Sequence, residues 1–164
     1  SNLERLNRWK SAFRMFGEKP ILGWGPGTYM FQYAPFQRSY ERTIISTNFG
    51  DMGNAHSEYI GPLAEQGVAG PLFFLLIVFL ASAAALRTYR HSNDTGDKLL
   101  LMAAYLGLVT YYVHGFLNNF LDTDKASLSF WGFTAVIVVL DIKQKIRKPN
   151  HQQTKRKRNA GRQH

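Results

Sequence analysis

Residues 67–86 read GVAGPLFFLLIVFLASAAAL, twenty consecutive residues without a charge. A helix rising about 1.5 Å per residue carries such a run across a hydrocarbon layer of about 30 Å. A core helix of a soluble bundle keeps a water-facing stripe, and this segment has none. The spacing therefore predicts a membrane span, and the rest of the chain is read outward from it. Residues 99–121, LLLMAAYLGLVTYYVHGFLNNFL, are also uncharged and carry His114, Asn118 and Asn119 toward one end, which predicts a second span with a polar outlet. Residues 126–140, ASLSFWGFTAVIVVL, form a shorter apolar run with Trp131 near its start as an interfacial anchor, a third span.

These runs are hidden in the averages. The mean hydropathy of −0.22 looks soluble only because both ends of the chain are polar. The formal charge of +9 is likewise local. Residues 1–66 hold seven Lys/Arg against six Asp/Glu, whereas residues 142–164 hold nine Lys/Arg and no acid. The expected organisation is all-α: a loop region over residues 1–66 with an amphipathic helix, three transmembrane helices within 67–141, and a disordered basic tail over 142–164. As a fold class this is an integral membrane helical bundle fragment with a periplasmic helix-loop region.

Lys and Arg in short loops stay on the cytoplasmic side. Arg87, Arg90 and Lys98 lie between the first two runs, and only Lys125 lies in the turn after the second. Three spans then put residues 1–66 outside, in the periplasm of a Gram-negative cell, and the basic tail inside. There the tail meets anionic headgroups, so its charge requires no nucleic acid.

Several chemistries are excluded. The chain has no cysteine, so it holds neither a disulfide nor a thiolate metal site, and His56-Ser57-Glu58 is not part of a zinc deaminase pattern. No HExxH occurs, and no basic segment followed by an apolar core marks a signal peptide at the N-terminus.

In SNLERLNRWKSAFRMF, residues 1–16, Leu3, Leu6, Trp9, Phe13 and Phe16 recur at helical spacing, which predicts an amphipathic helix ending near Gly17 ahead of Pro20, with Ser1 and Glu4 as a capping box. GWGPG, residues 23–27, predicts a tight turn; it lacks the lysine and Ser/Thr of a phosphate-binding P-loop. From His56 helical spacing returns, with His56, Tyr59, Ile60 and Leu63 on one face and a bend at Pro62.

In NAHSEYIGPLAEQ, residues 54–66, His56, Glu58 and Glu65 stand at the doorstep of the first span. Polar groups there reach a substrate whose tail is in the bilayer and whose head is in water. Neutral imidazole takes a proton from a hydroxyl at ambient pH. The planar fork of an arginine suits phosphate oxygens. Each residue also has a plainer reading. His56 caps the short helix or bonds a loop carbonyl, Arg5 is solvated or stacks on Trp9, with Arg8 and Arg14 competing for any phosphate, and Glu65 orients the His56 region or caps the span. His114 with Asn118 glues helices, and Asp122 and Asp124 are solvated loop acids.

The order Arg5-x-x-x-Trp9, Met15-Phe16, Pro20-Ile21-Leu22-Gly23-x-Gly25-x-Gly27, His56-Ser57-x-Tyr59 and Glu65-x-Gly67-x-x-Gly70 before an apolar span resembles the O-antigen ligase and polymerase superfamily over roughly residues 3–80. The resemblance implies a glycosyltransferase of the bacterial inner membrane. It would move a glycan from undecaprenyl pyrophosphate to an acceptor hydroxyl, on a glycan or on lipid A core, in cell-surface polysaccharide assembly, with no metal or other cofactor. It further implies His56 as catalytic base and Arg5 at the pyrophosphate, with Tyr59, Glu65 and His114 completing the candidate substrate-binding set. Ser57 departs from the asparagine that often follows the histidine. The rival from another class is a non-catalytic membrane subunit or transporter piece whose residues 1–66 bind a periplasmic partner.

Overall fold

The computed structural model describes residues 2–44, 46, 53–119, 121 and 124–160. All regular structure among them is helical: α1 (Asn2–Glu18), α2 (Tyr29–Gln32), two 3-10 turns (Ala34–Phe36 and Ser39–Glu41), α3 (Ile60–Gln66), α4 (Ala69–His91), α5 (Thr95–Gly115) and α6 (Asp124–Ala160). The chain divides into two compact units. Unit 1 comprises Ser1–Val78 with Tyr111–Ser127, and unit 2 comprises Phe79–Thr110 with Leu128–His164.

In unit 1, α1 forms as its spacing predicts, but it is turned inside out. It buries Glu4, Asn7, Arg8, Ser11, Ala12 and Met15, and it exposes Leu3 (68%), Leu6 (48%) and Phe13 (51%). The polar stripe is inward because a polar loop folds onto it. Asn7 Nδ2 donates to Gln37 Oε1 at 3.1 Å and to Ser46 Oγ at 3.3 Å. Arg14 donates to the Phe36 carbonyl and to Glu41, both at 2.8 Å. Glu41 also pairs with Lys10 at 3.2 Å. The apolar centre of the unit is small: Ala12, Met15, Tyr29, Tyr33, Ala55, Ile60 and Ala64, with Trp9, Trp24 and Phe36 packed against it. Tyr29 and Tyr33 stack at 5.2 Å, and the buried Tyr29 hydroxyl donates to the Arg8 carbonyl at 2.7 Å.

The GWGPG turn is sewn to α3. Trp24 N and Gly25 N donate to the Ala64 and Glu65 carbonyls at 3.1 and 2.7 Å. Gly23 lies at φ +66, and a Cβ there would sit 2.3 Å from the Glu65 carbonyl carbon. Gly67, at φ +64, ends α3 with its Cβ position 2.3 Å from the Ile21 oxygen, beside the bond from Val68 N to the Pro20 carbonyl at 2.9 Å. Only glycine fits either position.

The helix after the loop begins at Ile60 and not at His56, as the spacing had suggested. His56 lies at φ +47, a left-handed conformation that no right-handed helix includes. Pro62 therefore falls in the first turn of α3, where its missing N–H costs nothing, instead of bending an established helix. Ser1, expected in a capping box, and Asp122, together with the side chain of Asp124, lie outside the described residues.

Among the described residues two helices are long and apolar enough to cross a membrane, Ala69–His91 and the Lys125–Arg147 part of α6, and only 22% of each apolar window is buried. A core helix of a soluble protein is mostly covered, and the uncovered apolar surface of these two is of the kind that suits lipid. Within unit 2 the helices pack through small or apolar side chains, including Ala81, Ala85, Ala104 and Leu108. Gly107 lets α5 approach the Phe133 ring of α6, where a Cβ would sit 2.6 Å away. Charges gather where α4 stops and α5 starts. Arg87 donates to both oxygens of Asp141 at 2.9 and 2.8 Å, and Lys143 pairs with Asp97 at 2.6 Å.

The expected second span, α5, has the length to cross but is not one of these two helices, and Tyr111, Tyr112 and His114 stand near its end. The third expected span begins α6, whose helix continues through residues assigned above to an irregular tail. Lys, Arg and Gln are good helix formers, so an existing helix propagates into them.

Candidate functional site

The site is built where α1 faces the loop leading into α3. His56 hangs from a short strained stretch fixed at three points. Its own N–H donates to Asn54 Oδ1 at 3.0 Å. Trp9 Nε1 donates to the Ala55 carbonyl at 2.8 Å, and Arg8 Nη1 to the Asn54 carbonyl at 3.4 Å. Ser57, buried, accepts the N–H groups of Tyr59 and Ile60 at 3.3 Å each, opening α3. A non-glycine residue at positive φ costs of order 1–3 kcal/mol, and such strain persists only where the surroundings over-determine it. The half-buried imidazole is thereby aimed at α1.

There it meets Arg8. The guanidinium Nη1 lies 3.1 Å from His56 Nε2, and Arg8 Nε is held by Glu4 Oε1 at 3.1 Å from the preceding turn. The other Glu4 oxygen accepts Thr43 Oγ1 at 2.6 Å and Ser46 Oγ at 2.7 Å. Burial alone would raise the Glu4 pKa, but these hydrogen bonds and Arg8 outweigh it and hold the carboxyl below its usual range. His56 is pushed the other way for a base: burial first, then the charges of Arg8 and Arg5, lower its pKa, with Glu4 partly opposing. Both effects favour the neutral ring.

Arg5, the arginine expected at the phosphate, sits half-buried on the same helix close enough for its charge to act on His56. Its competitors are spoken for: Arg8 on Glu4 and His56, Arg14 on Phe36 and Glu41. Among the described residues Arg5 has no hydrogen-bonding or ion-pair partner and does not stack on Trp9. Trp9 instead packs edge-on against Phe116 at 5.6 Å.

Residues 1–75 match the O-antigen ligase family. The match spans α1, the glycine turn, the His56 loop, α3 and the entry of α4, which are the elements that carry the motif residues above. Neither a curated protein nor a solved structure matches the chain.

Within the matched region the charge of Arg5 acts on His56, and the other candidates have different surroundings. The Glu65 carboxylate uses both oxygens on the glycine turn, accepting Gly27 N at 2.9 Å and Tyr29 N at 3.0 Å. Its role in the fold is to clamp that turn. Tyr59 donates its hydroxyl to the Tyr112 carbonyl at 3.0 Å, with its ring 5.1 Å from Phe74 and 5.9 Å from Phe116. It locks the loop to the end of α5. Glu58 does the same from the other side, its N–H donating to the Gly115 carbonyl at 2.8 Å while its carboxylate accepts Tyr111 Oη at 2.7 Å and Leu121 N at 2.6 Å. His114 is exposed near the end of α5, and its carbonyl accepts Asn118 Nδ2 at 3.3 Å. Among the described residues no hydrogen bond joins it to His56.

Sequence reasoning read Glu4 only as a helix cap and Arg8 only as a rival for the phosphate, and it missed their pairing beside His56. Their signal was the i, i+4 spacing of an acid before a base, which pairs on any helix and so reads as a solvated face. Only burial of that face distinguishes it.

Proposed function

We propose that the protein is a glycan transferase of the O-antigen ligase type, acting at the outer face of the bacterial inner membrane on a glycan carried by undecaprenyl pyrophosphate. In this reading α4, α5 and α6 all cross the bilayer and residues 1–66 lie in the periplasm. Arg87, Arg90 and Lys98 then fall on the cytoplasmic side, as positive charge in short loops does.

The observation that carries the reading is an imidazole held in a strained, fixed position against Arg8 and within reach of the charge of Arg5, in a region that runs directly into an apolar helix. The acceptor hydroxyl oxygen attacks the anomeric carbon of the donor sugar, and its proton passes to His56. The bond from that carbon to the pyrophosphate oxygen breaks, its electron pair leaving with the pyrophosphate. Arg5 supplies positive charge to the phosphate oxygens, where negative charge grows in the transition state. Water takes the proton from His56 afterwards. The acceptor is a hydroxyl of a glycan or of lipid A core.

His56→Asn tests this. Asparagine tolerates the left-handed conformation better than alanine, so the loop keeps its path while the base is lost. Transfer measured in membranes carrying the variant should fall by about 10²–10⁴, with the amount of protein in the membrane unchanged. Undiminished transfer would exclude His56 as the base.

A further inference from the structure

The contact between Arg8 and His56 has a chemical direction. Guanidinium carries five N–H donors and no acceptor, so at 3.1 Å the ring Nε2 is the acceptor. The imidazole is then neutral with its proton on Nδ1. The lone pair that a base needs is the one already engaged. The resting site therefore holds its base with the reactive nitrogen covered.

What uncovers it follows from the rest of the arrangement. Arg8 is anchored at Nε by Glu4, which is itself fixed by Thr43 and Ser46, and its fork reaches His56 through Nη1. The guanidinium is a rigid plane, so the fork leaves His56 by a swing of the whole group on its aliphatic stem about the Glu4 contact. A neutral imidazole offers it one uncharged lone pair, whereas a phosphate offers anionic oxygens that match the planar fork bidentately and is the stronger acceptor. Arg5, unpaired among the described residues and near the same ring, draws an anion to this spot.

Resting on the reading of His56 as base, we propose that Arg8 is a positioning residue that caps His56 Nε2 until the pyrophosphate of the lipid-linked donor draws its fork away, so that the base is exposed only with donor in place. The consequence is an order of events: donor first, acceptor second. Water is denied an activated base while the acceptor is absent and the donor has not docked.

Among the described residues the charged groups that bear on the ring are Arg8, Arg5 and Glu4, all on α1. Histidine labelled with ¹⁵N, in the full chain in lipid nanodiscs, reports the tautomer directly, and the His56→Asn spectrum assigns the signal. In wild type His56 should be the Nδ1–H tautomer. Saturating inorganic pyrophosphate should convert part of it to the Nε2–H form and raise its titration midpoint, since an anion replaces a guanidinium contact. In Arg8→Gln the Nε2–H form should already be present without pyrophosphate, and adding pyrophosphate should change it little. Arg8→Lys keeps a donor and should restore the resting tautomer.

Identical tautomers in wild type and Arg8→Gln, or an equal response of both to pyrophosphate, would overturn the cap. Should Arg8→Gln fail to fold, the wild-type response and Arg8→Lys still decide: a wild-type tautomer indifferent to pyrophosphate sinks the proposal. Kinetics supply the second readout, with Arg8→Gln expected to lose ordered binding and wild type to require donor first. Transfer that survives in His56→Asn would retire the catalytic reading without touching the tautomer result, so the two failures are distinguishable.

Discussion

Unit 1 encloses Glu4, Asn7, Arg8, Ser11, Ser57 and Glu58, whereas the buried side chains along the helices of unit 2 are chiefly Ala81, Ala85, Leu101, Ala104, Leu108, Phe130 and Ile137. Burying a polar group is unfavourable unless every hydrogen bond is replaced. Unit 1 meets that condition around His56 with a network running from Ser46 through Glu4 and Arg8 to the ring. In unit 2 charges are paired only toward the ends of the helices, and the middle is van der Waals packing of small residues. Both units turn apolar side chains outward, Leu3, Leu6 and Phe13 from α1 and Phe79, Leu80 and Leu86 from α4. The difference is thus in the interior. One interior is polar and joined by hydrogen bonds, and the other is apolar and closely packed.

The largest effect that separates them comes from adding one methyl group to each. At Gly23 the new Cβ meets the backbone of Glu65 at 2.3 Å, and the left-handed conformation alone costs about 1–2 kcal/mol. Neither backbone is able to yield without unstitching the turn from α3. At Gly107 the new Cβ meets the edge of the Phe133 ring at 2.6 Å, and the ring is free to shift. Thermal unfolding of the purified protein in nanodiscs should show Gly23→Ala strongly destabilised and Gly107→Ala only moderately so. Equal losses would mean that unit 1 is not held by this stitching.

A smaller effect tests the polar interior itself. Glu4→Gln removes the charge that binds Arg8, Thr43 and Ser46, and hydrogen bonds to charged groups are worth about 1.5–3 kcal/mol. Stability should fall by roughly this amount. Glu4 also raises the His56 pKa slightly against the lowering by burial and the arginines, so its loss lowers that pKa further. Because the base is active when unprotonated, the acid limb of transfer activity should move to lower pH. A limb that moves to higher pH would show that Glu4 acts on the ring by some other route.

How much of this was legible follows the same division. The apolar runs gave α4 and the first part of α6, because long stretches without charge have few places to be. The stripe Leu3, Leu6, Phe13 gave α1 but not which side of it faced inward, since periodicity defines a stripe and not its partner. The motif led to Arg5 and His56. It did not reveal that Glu65 is spent on Gly27 and Tyr29, or that Arg8 and His56 meet across 48 positions of sequence. Those contacts depend on the path of the loop, which is set by positive φ at His56, Gly23 and Gly67. A glycine announces such a conformation in the sequence. A histidine does not.

The gentlest probe of the polar interior is acid. Glu41 ties the second 3-10 turn to α1, and the Arg14 hydrogen bond, helped by Lys10 and opposed by burial, holds its carboxyl at about 2 against an ordinary 4.5. The folded state binds that proton less readily than the unfolded chain, so the contribution is complete above pH 4.5 and is lost as pH falls toward 2. Glu41→Gln should therefore weaken the protein at neutral pH and flatten the decline of its unfolding midpoint between pH 4.5 and 2. If the slope is the same in wild type and Glu41→Gln, the loop is held to α1 by packing of Tyr29, Tyr33 and Phe36 and not by these charges, and the polar interior of unit 1 would shrink to the residues around His56.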